Sequence, residues 1–426
     1  MSERSAIDRT VAAIWHMESA KIIATLARIL RDVGAAEEIA QDALIVALEQ
    51  WPKSGIPDNP AAWLMTTAKR RAIDEWRRRR LSERKGLLLA QEAQSSLEDS
   101  RELERADQDI EDDLLRLIFV ACHPVLSSEA RVALTLRLLG GLTTAEIARA
   151  FLATEGAIQQ RIVRAKRTLA EAAVPFELPG ASERAERLES VLEVLYLIFN
   201  EGYAASSGDS WLRPALCEEA LRLGRILAEL TPNESEVHGL VALMEIQSSR
   251  SRARVGASGA PVLLMDQNRA LWDRLLIARG LSALERARAL GGTLGPYALQ
   301  AAIAACHAEA SSAEATDWAR VVALYDALAQ TAPSPVVELN RAVAVSRAYG
   351  PEAGLNLVDA LQSEPRLEQY HLLPSVRGDL LEQLGRREEA RAEYERAAAL
   401  TSNERERSLL LGRAAACRSN DSPRLN

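Results

Sequence analysis

Advancing by 100° per residue along residues 155–172, Ile158, Ile162, Ala165 and Leu169 fall in one direction, while Gln159, Gln160, Val163, Arg164 and Arg167 fall in the opposite one. The first set is a face to bury. The second carries amides and guanidinium groups, which pair with base edges in a major groove at about 1–3 kcal/mol of discrimination per good pair. Arg161 and Lys166 lie at the flanks, where phosphates would run. Just upstream, Thr143 and Glu146 have capping-box spacing, which predicts a short helix over 142–151. A turn at Leu152 and Ala153 follows, and Thr154 caps the second helix, so the segment reads as a helix-turn-helix.

A second set lies at residues 69–85, where Lys69, Arg70, Arg71, Arg77, Arg78, Arg79, Arg80, Arg84 and Lys85 crowd one predicted helix. Trp63 and Trp76 share that helix, and aromatics beside basic residues provide stacking surfaces for unpaired bases; Trp63 is assigned to the core. Net charge is −8, yet residues 92–113 are strongly acidic, so charge is segregated. Screening limits the reach of charge to about 8–10 Å, so the local cluster decides phosphate binding and the acidic total does not forbid it.

Enzyme chemistry is not legible. The chain has no Gly-rich phosphate loop and no nucleophile–base arrangement, and we expect no cofactor and no enzymatic activity. Cys122, Cys217, Cys306 and Cys417 are scattered without a C-x-x-C pair, which argues against disulfides and zinc; His123 beside Cys122 makes no metal site alone. No window approaches the roughly 18–20 apolar residues of a membrane span, and the polar N-terminus is no signal peptide. A cytoplasmic protein is expected.

Helices must position these residues. Apolar residues recur at three- and four-residue spacing and aromatics are only 4%, which predicts an all-α fold. A first helix over 9–31 ends near Gly34 as a left-handed cap. A second, over 36–50, turns Ile39, Ala43, Val46 and Ala47 inward and Glu37, Glu38, Gln41 and Asp42 outward, until Pro52 and Pro57 break the chain. Asn59 caps a third helix that starts with Pro60 and reaches Arg80. At roughly 150 residues per domain, 426 residues make about three domains.

In this order the segments resemble an extracytoplasmic-function RNA polymerase sigma factor of the sigma-70 superfamily. The carriers are Ala36 to Ala43 with Trp51-Pro52, Asn59 to Leu64, and Ala72-Ile73-Asp74; then Glu146-Ile147-Ala148, Gly156 to Arg161 and Arg164-Ala165-Lys166. The resemblance implies a promoter-specificity subunit for transcription initiation whose partners are core RNA polymerase (β′ clamp helices and β flap) and promoter DNA. It assigns Glu37, Glu38, Gln41 and Asp42 to the polymerase, and Lys69, Arg70, Arg71, Asp74, Trp76, Arg77 and Arg78 to the −10 element. Gln159, Gln160, Arg161, Val163, Arg164, Lys166 and Arg167 fall to the −35 element. The chain departs from the family at Arg70, where Asn is common, and at Leu152, where Gly is common.

The domains expected are region 2 over 1–85, a linker over 86–110, region 4 over 111–175 and a helical extension over 184–426. Gly378 to Gly385 with Ala390, Tyr394 and Ala397 fit a tetratricopeptide repeat. Phe199 to Tyr203, Asp266 to Arg269 and Gly295 to Ala304 resemble the sigma-factor subgroup with such an extension, as do Thr316 to Trp318 and Leu339 to Val343. Members of that subgroup are often encoded near small YCII-like proteins, which makes that class a candidate partner, and the extension is expected to control activity in place of a separate anti-sigma factor. Asp266, Arg269, Tyr297, Gln300, Asp317 and Asn340 read as one hydrogen-bond network holding the repeats, and His371 as structural. The alternative from another class is a helical-repeat adaptor with a vestigial DNA-binding half.

Overall fold

The computed structural model describes residues 3–84, 110–151, 153–205, 207–208, 211–256 and 259–419. These residues form eighteen α-helices, four single 3-10 turns and one two-residue strand pairing, so the all-α expectation holds. Two compact units divide the chain at Leu197, part-way along the helix Arg184–Tyr203 and beyond the expected start at 184. The expected linker over 86–110 lies outside the described residues except for Ile110, which begins a helix.

In the first unit α1 (Glu3–Leu30), α2 (Val33–Ser54) and α3 (Pro60–Arg84) pack as a bundle. Ala35, Ala36, Ala40, Ala43 and Ala47 line the buried side of α2, and such small side chains let α1 approach closely. Trp51 closes this core edge-to-face against Trp63, with ring centres 5.4 Å apart. Asn59 caps α3 by accepting from the Ala62 amide at 3.0 Å. Two expectations are corrected. Gly34 ends nothing: Asp32 accepts from the Gly34 and Ala35 amides and so starts α2 there, while Arg31 takes the left-handed conformation (φ 52°). Pro52 sits inside the last turn of α2, and the helix stops at Gly55, whose φ of 85° suits a residue without a side chain.

Four helices complete the sigma-like half: α4 (Ile110–Ala121), α5 (Ser128–Leu138), α6 (Thr144–Ala150) and α7 (Glu155–Glu171). Leu117, Ile118, Leu134, Leu136 and Leu138 form their apolar centre. Helix α8 (Arg184–Tyr203) then leads into the second unit.

That unit holds α9 (Pro214–Leu230), α10 (Ser235–Ser248), α11 (Arg274–Ala289), α12 (Pro296–Glu309) and α13 (Trp318–Thr331), followed by α14 (Pro335–Tyr349), α15 (Pro351–Ala360), α16 (Leu372–Gln383), α17 (Arg387–Leu400) and α18 (Glu404–Ser419). Contacts run mainly between neighbours in sequence, as in stacked helix pairs. Gly378 on α16 explains the repeat signature: a Cβ there would lie 2.9 Å from the ring of fully buried Tyr394 on α17. One contact was not foreseen. Ser207–Gly208 pair in parallel with Ser402–Asn403, joining the beginning of this unit to its end.

Candidate nucleic-acid interface

Helix α7 has the two faces its periodicity demands. Ile158, Ile162, Ala165 and Leu169 are buried, while Gln159, Gln160, Val163, Arg164 and Arg167 are exposed. Val163 is 58% exposed on that face. Its neighbours are held ready. The Arg164 guanidinium donates to the Gln160 amide oxygen at 3.2 Å, and Arg167 to Glu171 at 2.6 Å. Thr154 caps the helix through the Ala157 amide. The preceding α6 carries the full capping box, with Thr143 accepting from the Glu146 amide and the Glu146 carboxylate accepting from the Thr143 amide. Leu152 lies outside the described residues.

Of the two flanking cations, Arg161 is half-buried and Lys166 turns away from the flank where phosphates were expected. Lys166 forms an ion pair with Glu37 on α2. Arg137 on α5 donates to the same carboxylate at 2.6 Å and to the Leu142 carbonyl at 3.1 Å. Gln41 also donates to Glu37, whose side chain is only 5% exposed. Glu37 therefore leaves the outward set expected of α2, and two cations from the helix-turn-helix half compensate its buried charge. The same seam is tied by buried Asp113 of α4, which accepts from Arg28 of α1 at 2.9 Å and from Arg116 at 2.6 Å. Burial raises the Asp113 carboxyl above its ordinary range despite those two guanidinium groups. Arg137 and Asp113 were missed in the sequence. Their signal, a charge inside an apolar run, is common to many satisfied core residues.

The rest of the expected surface remains open. Glu38 and Asp42 are exposed, Gln41 is half-buried, and Asp42 accepts from Arg71 of α3 at 2.8 Å. Between α2 and α3 runs a groove of about 590 Å³, edged by Glu38, Asp42 and Ile45 on one side and Arg71, Asp74 and Arg78 on the other. Ile45 stands 51% exposed there. Along α3, Arg70, Arg71, Asp74, Arg77 and Arg78 make an exposed strip and Trp76 is half-buried beside it. Lys69 does not join them: it is 4% exposed, one position off the solvent face, and this corrects the expectation of a contact there.

In the second unit the six polar residues expected to form one network do not all lie in the interior. Arg269 donates to the Ala310 carbonyl, Asp317 caps α13, Gln300 donates to the Pro296 carbonyl, and Asp266 and Asn340 are exposed. His371 pairs with Glu406 at 2.9 Å. Among the described residues no group of three or more His, Cys, Asp or Glu side chains is placed to hold a metal ion, and no helix is long and apolar enough to cross a membrane.

Residues 16–81 match the family model for sigma-70 region 2, residues 116–169 that for sigma-70 region 4, and residues 187–288 a family of unknown function, DUF6596. "Uncharacterized protein R00370" of Rhizobium meliloti (strain 1021) is 48% identical over 382 residues, covering 89% of each chain. "ECF RNA polymerase sigma factor SigK" of Mycobacterium ulcerans (strain Agy99) is 31% identical over 162 residues, which span 37% of this chain and 82% of that one. A protein of the same name from Mycobacterium sp. (strain KMS) is 37% identical over 70 residues, 16% of this chain and 35% of that one.

Proposed function

Because this chain belongs to the extracytoplasmic-function sigma-70 factors, with core RNA polymerase and promoter DNA as its partners, we propose a specific division of labour among its surfaces. Gln159, Gln160, Val163 and Arg164 read the −35 element, with Arg161 and Arg167 beside them. Arg70, Arg71, Asp74, Trp76, Arg77 and Arg78 hold the separated −10 strand. The α2–α3 groove, with Glu38, Gln41, Asp42 and exposed Ile45, docks a helical element of the polymerase. The work is binding, with no chemical step at any of these residues. The observation that carries this reading is the pair of faces on α7, one sunk in the core and the other solvated and carrying amides and guanidinium groups.

The Glu37 cluster supports a regulated cycle. Lys166 on the reading helix and Glu37 on the polymerase-facing helix are paired to each other, so this arrangement is closed, and engagement of polymerase has to exchange that pair for new contacts. Residues 198–426 bias the exchange, which makes the extension a control element. A small YCII-like partner for its repeats rests on the family resemblance alone, and co-purification tests it.

In vitro transcription with core polymerase, comparing the full chain with one truncated after residue 178, tests the whole reading. The full chain should support −35/−10-dependent initiation, and truncation should change the yield in either direction at equal protein. A helical adaptor would instead fail to compete with other sigma factors for core polymerase.

A further inference from the structure

Between α10 and α11 the chain makes a long detour, residues 249–273, whose described residues contain three single 3-10 turns (Ser251–Ala253, Leu264–Asp266 and Arg269–Leu271) and an antiparallel bridge from Val255 to Pro261. Connections of this length ordinarily run over the surface, and long ones usually carry function. This one folds inward: Ser249, Arg250, Ala253, Arg254, Gln267 and Trp272 are all buried. It takes three arginines with it, Arg250 and Arg254 at 9% and 6% exposure and Arg269 half-buried.

What these arginines meet is aromatic and neutral. The Arg254 guanidinium carbon lies 3.5 Å from the centre of the Tyr203 ring and 5.6 Å from that of Trp211. Arg250 donates to the Tyr203 hydroxyl at 2.5 Å and to the Gln247 amide oxygen. It also shares the Trp272 ring with Arg269, at 5.7 and 4.7 Å. Arg269 donates to the carbonyls of His307 and Ala310 at the end of α12. Two rings thus gather three guanidinium groups. Among the described residues none of the three has a carboxylate at ion-pairing distance, unlike Arg137, Arg225 or Arg413, each seated on one. The carboxylate whose charge reaches Arg269 is Glu314, which is fully exposed.

The donors are not used up. Arg250 Nε, Arg254 Nη1, Arg269 Nη2, Trp211 Nε1 and Trp272 Nε1 are buried without an acceptor. Buried donors in folded proteins are nearly always satisfied, and a buried charge normally has a counter-charge. Burial together with the Arg250 charge pushes Arg254 and Arg269 below the ordinary arginine range. Burial and the charges of Arg250 and Arg269 push His307 down to about 4.

We propose that this cluster is the binding site of a small phosphate-type oxyanion. A flat carboxylate is served by one bidentate arginine, whereas donors from three arginines and two indoles suit tetrahedral oxygens carrying more than one charge. The donors of the site lie in the segment matched by the family of unknown function.

Thermal unfolding of the full chain in inorganic phosphate, against sodium chloride at equal ionic strength, tests it. Phosphate should raise the midpoint of the C-terminal unit by about 4 °C for each tenfold excess over its dissociation constant. Repeating the series with glycerol 3-phosphate distinguishes a phosphorylated metabolite from free phosphate as the source. In Arg254→Met the phosphate response should vanish while the midpoint in chloride stays level or rises, because an unpaired buried charge is removed. Arg78→Ala, on the exposed strip of α3, should keep the response. Equilibrium dialysis of wild-type protein, which requires no variant, should show one phosphate per chain. An equal response in Arg254→Met and wild type, or no response and no bound phosphate at 50-fold molar excess and above, overturns the proposal. Neither result bears on promoter recognition.

Discussion

Arg164 projects from the solvent face of α7, and its side chain donates to Gln160 one turn earlier. Arg164→Ala should weaken binding to a −35 duplex by about 1–3 kcal/mol and relax preference at one base pair, measured by competition binding with single-base variants. An unchanged preference removes Arg164 from the reading set. His307 makes a prediction of another kind, since it is buried against Trp318 with ring centres 5.2 Å apart and its pKa is lowered to about 4. The unfolded chain takes up this proton near pH 6.5, but the folded one does not until about pH 4. Stability is therefore fully present above pH 6.5 and is lost as pH falls toward 4, by about 1.4 kcal/mol per unit and about 3 kcal/mol in all. Denaturant unfolding of His307→Phe at pH 7, 5.5 and 4.5 should show a correspondingly shallower fall than wild type.

Helices place these side chains, and two of their contacts can be tested separately. Glu37 of α2 joins α5 and α7 through Arg137 and Lys166, so Glu37→Gln leaves two cations facing a neutral amide. Packing of the helix-turn-helix half on the bundle should weaken by about 2–4 kcal/mol, read as faster amide exchange in α2 and α7, with α16 and α17 unaffected. On α16, Gly378→Ala puts a methyl 2.9 Å from Tyr394, whose hydroxyl donates to Glu382 at 2.7 Å and cannot easily withdraw. We expect about 1–3 kcal/mol of destabilisation of the C-terminal unit by denaturant unfolding, with promoter binding by the N-terminal half retained. At this scale the sequence was readable where periodicity and caps act locally. Thr143, Thr154 and Asn59 cap the helices expected of them. Gly34 misled because a C-terminal cap and the first turn of the next helix present the same residue type.

Taken whole, the chain divides into a sigma-like unit ending at Leu197 and a helical unit beginning at Ile198, and removal of residues after 178 should alter transcription yield without abolishing −35 preference. The sequence by itself determined the all-α class, the order of the two sigma regions and the two faces of α7. Each follows from residue spacing within one helix, where hydrogen bonds and side-chain directions are set by neighbours three and four positions apart. Only the tertiary structure decided the fate of Glu37, Lys69 and Lys166. Whether a charge is solvated or sunk depends on which distant element arrives to face it, and Arg137 lies a hundred residues from Glu37. The gathering of Arg250, Arg254 and Arg269 around Tyr203 and Trp272 has the same origin. Arg250 and Arg254 are four residues apart, but Arg269 lies fifteen further on, and an irregular connection folded into a helical array, not a single helix, brings the three together.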